Sequence, residues 1–194
     1  MFQLTPLVRN LIIINVVVFV LQQIVPVINA LVPLNTVGTG GFMPYQFLTY
    51  MFAHGGFMHI LFNMLTLASF APILENEWGD KKFLFFYLAT GIGAGIIYVA
   101  FNHFILPGSA GAVVGASGAL FGVLMAFGML YPNMELQMLF IPVPIKAKYM
   151  VFIVGIITYL LDRSGQVSHI THFGGAIVGL IIVSVWKGQG RGRY

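Results

Sequence analysis

The chain reads as an all-α membrane protein: a bundle of six transmembrane helices, the fourth short and starting inside the membrane. Three observations predict this. Of 194 residues, 59% are hydrophobic and only 7% charged, against about a quarter charged in a soluble domain. Scanning for the roughly 20 apolar residues that cross about 30 Å of hydrocarbon yields six segments separated by glycine and proline breaks. Lys and Arg fall almost entirely on one side of the resulting six-span arrangement.

The first segment covers about residues 9–28. A single Arg ahead of an apolar run also fits a cleavable signal, but apolar character continues to about Pro33 without a small-residue cleavage site, so a span is expected. The others cover about 57–75, 82–106, 117–131, 146–161 and 169–187, and none has a charge at its middle. Pro33 with the glycines at 38–41, Gly79-Asp80, Pro107-Gly108, Pro132 with Pro142 and Pro144, and Gly165 mark the breaks. No repeat, low-complexity linker or second domain is visible, so residues 1–194 are expected to form a single domain.

Orientation follows from charge. Arg9, Lys81, Lys82, Lys146, Lys148, Lys187, Arg191 and Arg193 share one side and only Arg163 takes the other, which puts both termini in the cytoplasm. The same distribution accounts for the net charge of +4 without an anionic partner. The basic residues are not interleaved with aromatics as on a nucleic-acid surface, so no nucleic acid is expected to bind. The chain has no cysteine, which excludes disulfides, a thiolate metal site and a cysteine nucleophile. Six spans with no added helix or targeting segment suggest a bacterial plasma membrane.

The fourth segment carries the chemistry. At 1.5 Å per residue, about fifteen residues cover only some 22 Å, less than the hydrocarbon thickness. With its cytoplasmic end at the interface near Tyr131, its Ser117 end stops below the outer surface and the preceding loop dips into the membrane. Irregular backbone is tolerated there only where protein buries it or water wets it, so Ser117 is expected to face a wet cavity. A serine at a helix start is by default an N-cap. The same place also offers free N–H groups and the positive end of the helix dipole to an anion.

Two further polar clusters stand out, because intramembrane polar residues are costly and point to function. His59 and Asn63, spaced i, i+4, project from one face of the second segment. In the sixth, His172, Gly175 and Gly179 form one stripe, and Gly118 and Gly122 give the fourth helix a matching small face. If these faces meet, Ser117 and His172 come within reach. The second, fourth and sixth helices all begin on the outer side, so His59, Ser117 and His172 share one depth. The chemistry this suits is acyl transfer, with serine as nucleophile and histidine as its base. His59, Asn63 and the Ser117 amide are then donors to an oxyanion. Glu75, Glu77, Asp80 and Glu135 fall on the cytoplasmic side and Asp162 in the outer loop before the sixth helix, so a dyad is expected rather than a triad.

At these residues the sequence resembles the rhomboid intramembrane serine proteases. The likeness rests on Gly115-Ala116-Ser117-Gly118, on His59-Ile60-Leu61-Phe62-Asn63, and on His172-Phe173-Gly174-Gly175 continuing to Gly179. Pro44-Tyr45-Gln46-Phe47-Leu48-Thr49, Phe52-Ala53-His54, Leu74-Glu75 and Trp78-Gly79 look like further family segments, and the likeness runs from about Pro44 to Gly179. The resemblance implies a six-helix core that cleaves transmembrane segments of other membrane proteins. It assigns Ser117 as nucleophile, His172 as general base, and His59, Asn63, the Ser117 amide and Gly115 to the oxyanion region. It also implies sideways entry of substrate past the fifth helix and the loop at 162–168. Two departures are visible: the first outer loop (30–56) lacks the Trp-Arg pair of many members, and Phe121 stands where some carry Tyr, able to stack on His172 but without a hydroxyl.

Blander readings apply to several residues. His59 and Asn63 also fit interhelical hydrogen bonds worth about 1 kcal/mol or less. His54, in a glycine-rich turn, suits a structural hydrogen bond. His169 and His172 form H-x-x-H, but no third ligand flanks them and H-E-x-x-H is absent, so no metal is expected. Glu75 suits a cap or a pairing partner at the cytoplasmic end, and the many Phe and Met residues suit lipid and core contact, so no cofactor is expected. Besides the protease, an inactive relative that binds transmembrane helices and a small transporter compete. The first usually lacks Ser or His, and the second favours inverted repeats that are not found.

Overall fold

The computed structural model describes residues 3–106, 111–138, 141–161 and 168–189. Its elements are α1 (Pro6–Ile24), the one-turn helices α2 (Ile28–Leu31) and α3 (Gln46–Thr49), α4 (Phe57–Trp78), α5 (Asp80–Phe104), α6 (Ser117–Leu130), strands β1 (Glu135–Met138) and β2 (Ile141–Lys146), α7 (Met150–Leu161) and α8 (His169–Gly188). Short 3₁₀ turns lead out of α3 and into α7. By length and composition α1, α4, α5 and α8 are long and apolar enough to cross a membrane, while α6 and α7 are shorter apolar helices. The chain is therefore a mostly helical membrane bundle.

α6 is the hub, packed against α4, α5, α7 and α8. Ten of its 14 residues are buried, which is why a helix apolar on every side sits in the interior. α1 lies at the periphery. Ile13, Ile14, Val16, Val17 and Val20 are exposed, and such a surface suits lipid rather than water.

Local chemistry sets the helix limits. The first segment was expected at about 9–28, yet α1 ends at Ile24 because Pro26 drives the residue before it out of the α region: Val25 has φ −127° and ψ 89°. Gly79, at φ +79°, ends α4 and leads straight into α5. The fifth segment begins at Met150 rather than near Lys146, since Lys146 belongs to β2. Pro132, Pro142 and Pro144 read in the sequence only as breaks. Instead the chain between α6 and α7 folds back as an antiparallel pair with Glu135 opposite Lys146, an arrangement favoured by opposite charges across strands.

Pro6 opens α1, and Thr5 makes no side-chain cap bond to it. Glu75, on α4, performs that task from 70 residues away: its carboxylate accepts from Thr5 Oγ1 at 2.5 Å, Val8 N–H at 3.0 Å and Leu7 N–H at 3.3 Å. This agrees with reading Glu75 as a cap. Its anionic charge also lies against the positive end of α1. Glu75→Ala orphans buried donors and is expected to lower stability by about 3 kcal/mol, measured as a fall in the thermal midpoint of the detergent-solubilised protein. An unchanged midpoint would show that α1 is held by apolar packing alone.

The loop between α1 and α4 is ordered by a buried amide. Gln46 Oε1 accepts from the N–H groups of Asn35 (3.1 Å) and Met43 (3.2 Å), and its Nε2 donates to the Gly41 carbonyl (2.9 Å). Leu34 then forms a bridge with Val113, which ties this loop to the one that leads into α6.

Candidate active site

An N-cap was the blander reading of Ser117, but Ala116 occupies that position and Ser117 is the first residue of α6. Its hydroxyl therefore caps nothing. Ser117 Oγ lies 2.9 Å from Nε2 of His172. The first α6 amide bonded back to the chain is that of Leu120, to the Ala116 carbonyl. This leaves the amides of Ser117, Gly118 and Ala119 at the positive end of the helix, without backbone partners among the described residues.

Glycine makes the contact possible. A Cβ built on Gly175 would stand 1.8 Å from the Gly118 carbonyl oxygen, and one on Gly179 would stand 2.8 Å from Gly122 Cα. The stripes Gly118/Gly122 and Gly175/Gly179 thus face each other backbone to backbone. On its other side α6 meets α5, where Cβ atoms on Gly118 and Gly122 would strike Ala94 and Thr90. The serine and the histidine are carried to each other by this three-helix seam.

His172 is 7% exposed. Phe121, one turn beyond Ser117, stacks flat on its ring, with centroids 4.3 Å apart and planes 11° off parallel. His169 meets the His172 ring edge-on at 6.0 Å and also contacts Tyr159 on α7 at 5.1 Å.

His59 approaches from α4. The Gly55 amide donates a long bond, 3.4 Å, to its Nδ1, which assigns the neutral ring's proton to Nε2. A Cβ on Gly115 would lie 2.8 Å from that Nε2 and 3.6 Å from Ser117 Oγ, so His59 and Ser117 border the same small space. Gly115 has φ +125°, which favours glycine. Its own N–H donates to the Tyr50 carbonyl at 2.9 Å. Its amide is thus engaged with Tyr50, and its lack of a side chain leaves room for His59. Asn63, buried, donates one Nδ2 hydrogen to the His59 carbonyl at 2.8 Å, and the amide group carries a second.

His54 makes the structural hydrogen bond expected of it. The structural hydrogen bond comes from its main chain, whose N–H donates to Gln22 Oε1 on α1 at 2.8 Å, and not from its ring. The imidazole is 2% exposed, lies edge-on to His59 at 5.1 Å, and neither ring nitrogen has a hydrogen-bond partner among the described residues. Burial, reinforced by His59 and opposed by the Phe52 carbonyl, pushes its pKa down to about 4, so the ring is neutral at pH 7. Sequence reasoning could not pair it with Gln22, which lies 32 residues away. Asp162 and the rest of the loop up to residue 167 lie outside the described residues.

Fold and site together define an integral membrane helical bundle with a serine–imidazole pair inside it. The Rhomboid domain family matches residues 41–187, well over half of the chain. Rhomboid protein 1, mitochondrial, of Saccharomyces cerevisiae is 30% identical over 133 residues, covering 67% of this chain and 38% of that protein. Rhomboid-like protein 11, chloroplastic, of Arabidopsis thaliana is 31% identical over 149 residues, 72% of this chain and 51% of that one. Rhomboid protease GluP of Bacillus subtilis is 37% identical over 76 residues, 39% of this chain and 15% of its own. The matches thus span about half or less of each of these relatives. The chain belongs to the rhomboid family.

Proposed function

We propose that the chain is a serine endopeptidase that hydrolyses peptide bonds in or near transmembrane segments of other membrane proteins. The observation that carries this reading is the 2.9 Å contact between Ser117 Oγ and His172 Nε2 at the start of α6. His172 Nε2 accepts the Ser117 proton as the hydroxyl attacks the scissile carbonyl, then delivers it to the departing amine. The acyl-enzyme is hydrolysed by water in the reverse sense. The Ser117 amide, His59 Nε2–H and the second Asn63 amide hydrogen are the donors for the oxyanion. A relative bearing the name protease supports the same reading. An inactive, helix-binding relative is the weaker alternative, since this chain keeps both a serine and a histidine and holds them in contact.

In this reading α6 and α7 complete a single six-span domain, with α6 too short to reach the outer surface. Both termini lie in the cytoplasm of a bacterial plasma membrane, and substrate enters beside α7. The side chains of Phe152, Ile156 and Tyr159 on α7 are exposed, a surface that suits lipid or another transmembrane segment. The test is labelling of the intact protein by a fluorophosphonate together with cleavage of a single-span reporter in liposomes. Both are expected, and a wild-type protein that does neither refutes the proposal.

Stacking on Phe121 holds the His172 ring flat. Because such aromatic pairs are worth about 0.5–1.5 kcal/mol beyond their area, Phe121→Ala is expected to lower kcat/KM by about tenfold, while Phe121→Tyr keeps most of it. Reporter cleavage rates check both, and an undiminished rate for Phe121→Ala would remove the ring from the site.

A further inference from the structure

Building on the serine-protease reading, we infer that Gln22 of α1 is a positioning residue for the reaction: it fixes the His59 tautomer that turns an N–H toward the nucleophile. α1 otherwise lies at the periphery of the bundle, and Gln22 precedes residues 41–187, which match the rhomboid family. Gln22 is nevertheless buried, at 6% exposure. A polar side chain buried in an apolar helix is costly unless its groups are matched.

The hydrogen bonds around Gln22 can run in only one direction. Its main-chain carbonyl can only accept, so Asn29 Nδ2 faces it, at 2.8 Å. Asn29 Oδ1 is thereby turned to Gln22 Nε2, at 3.0 Å. That leaves Gln22 Oε1 to accept from the His54 N–H, at 2.8 Å, and a main-chain N–H can only donate. Neither amide can flip without setting donor against donor or acceptor against acceptor.

The next main-chain N–H carries the constraint to the site. Residue 54 is held twice, at its N–H by Gln22 and through its ring, which is buried and edge-on to His59 at 5.1 Å. Gly55 follows, and its N–H points at His59 Nδ1, 3.4 Å away. A bond this long does not by itself hold a flexible glycine; the anchored residue before it does. Because Gly55 donates, Nδ1 accepts and the proton of the neutral ring sits on Nε2. Nε2 borders the space at Gly115, whose Cβ position is 2.8 Å from it and 3.6 Å from Ser117 Oγ. With its proton on Nε2, His59 offers an oxyanion a donor; with the proton on Nδ1 it would present a lone pair and repel one. Gln22 touches no reacting atom and acts through the main chain of residues 54 and 55.

The experiment compares Gln22→Met, which keeps the length and packing but removes the acceptor, with Gln22→Glu, whose carboxyl keeps an acceptor oxygen in either protonation state. Histidine nitrogen NMR shifts of the full chain in detergent read the tautomer without any turnover, with the His59 signal assigned by its loss in His59→Gln. Wild type and Gln22→Glu are expected to show the Nε2–H form, and Gln22→Met a mixture with the Nδ1–H form. For a single-span reporter in liposomes, kcat of Gln22→Met is expected to fall by about tenfold, part of the roughly 10²-fold loss that removing a whole oxyanion donor brings. KM stays within about twofold, because the donor acts only in the transition state. Asn29→Ala, at an exposed position, frees the Gln22 amide to turn and is expected to give the same changes in weaker form, about threefold in kcat. It carries the test if Gln22→Met does not fold. An unchanged His59 tautomer in these variants overturns the inference, and so does a shifted tautomer with unchanged kcat. Equal losses in Gln22→Glu and Gln22→Met overturn it too, since shape rather than the acceptor would then matter. Wild-type protein that neither labels with a fluorophosphonate nor cleaves refutes the protease reading itself, a result distinct from these because the tautomer is read in the resting protein.

Discussion

Replacing Ser117 with alanine is expected to abolish reporter cleavage, lowering turnover by at least about 10⁴-fold, the scale seen when a hydrolase loses its nucleophile. The reason is geometric. Ser117 Oγ is bonded to His172 Nε2 and caps no helix, so under the proposed mechanism its removal deletes the attacking atom while costing the fold little. The thermal midpoint of Ser117→Ala should stay within a few degrees of wild type. His172→Ala should match it in activity, and the double variant should be no worse than either, because residues that act as one unit are not additive. Cleavage measured with purified variants in liposomes decides this. Full activity in Ser117→Ala would send the search for the nucleophile elsewhere.

Gly175→Ala is expected to be nearly as damaging without touching a reacting group. The added methyl would lie 1.8 Å from the Gly118 carbonyl oxygen and 2.7 Å from its carbon. Both are backbone atoms that no rotamer change can move aside, so α8 must back away from α6 by about 1.5 Å to restore van der Waals contact. Overpacking of this kind costs about 1–3 kcal/mol or more, and misplacing a catalytic group by about 1 Å costs about 10²-fold. Fluorophosphonate labelling is expected to fall by about that factor, along with the thermal midpoint. Gly188→Ala, with nothing within 4 Å of its Cβ position, serves as the control on the same helix and should behave as wild type. If Gly175→Ala labels at the wild-type rate, the seam is looser than its backbone contacts imply.

The two variants separate what each glycine or hydroxyl does from where it sits in the chain. Ser117, His172 and the glycines at 118, 122, 175 and 179 were legible because each signal is local: a costly hydroxyl or imidazole in an apolar run, or small residues at helical spacing. Their meeting could be stated beforehand only as a condition, and the facing stripes satisfy it. The helix limits were legible to within about one turn, except where the chain between α6 and α7 turned out to be a β-hairpin. Prolines in the alternating Ile141-Pro142-Val143-Pro144-Ile145 masked a strand pattern, because proline is tolerated at a strand edge that has no ladder partner.

What the sequence determined by itself was the class of molecule: an apolar chain needing lipid, its long helices, and the few polar residues too costly to sit there without a purpose. Those are properties of composition and period, which act within a turn or two. What only the tertiary structure decided was how each polar group is engaged. Gly115 gives its amide to Tyr50, His54 is held by Gln22 through its main chain, and Glu75 caps a helix 70 residues away. Hydrogen bonds are made between whichever donors and acceptors packing brings within about 3 Å, and that proximity is a property of the folded chain, not of neighbours in sequence.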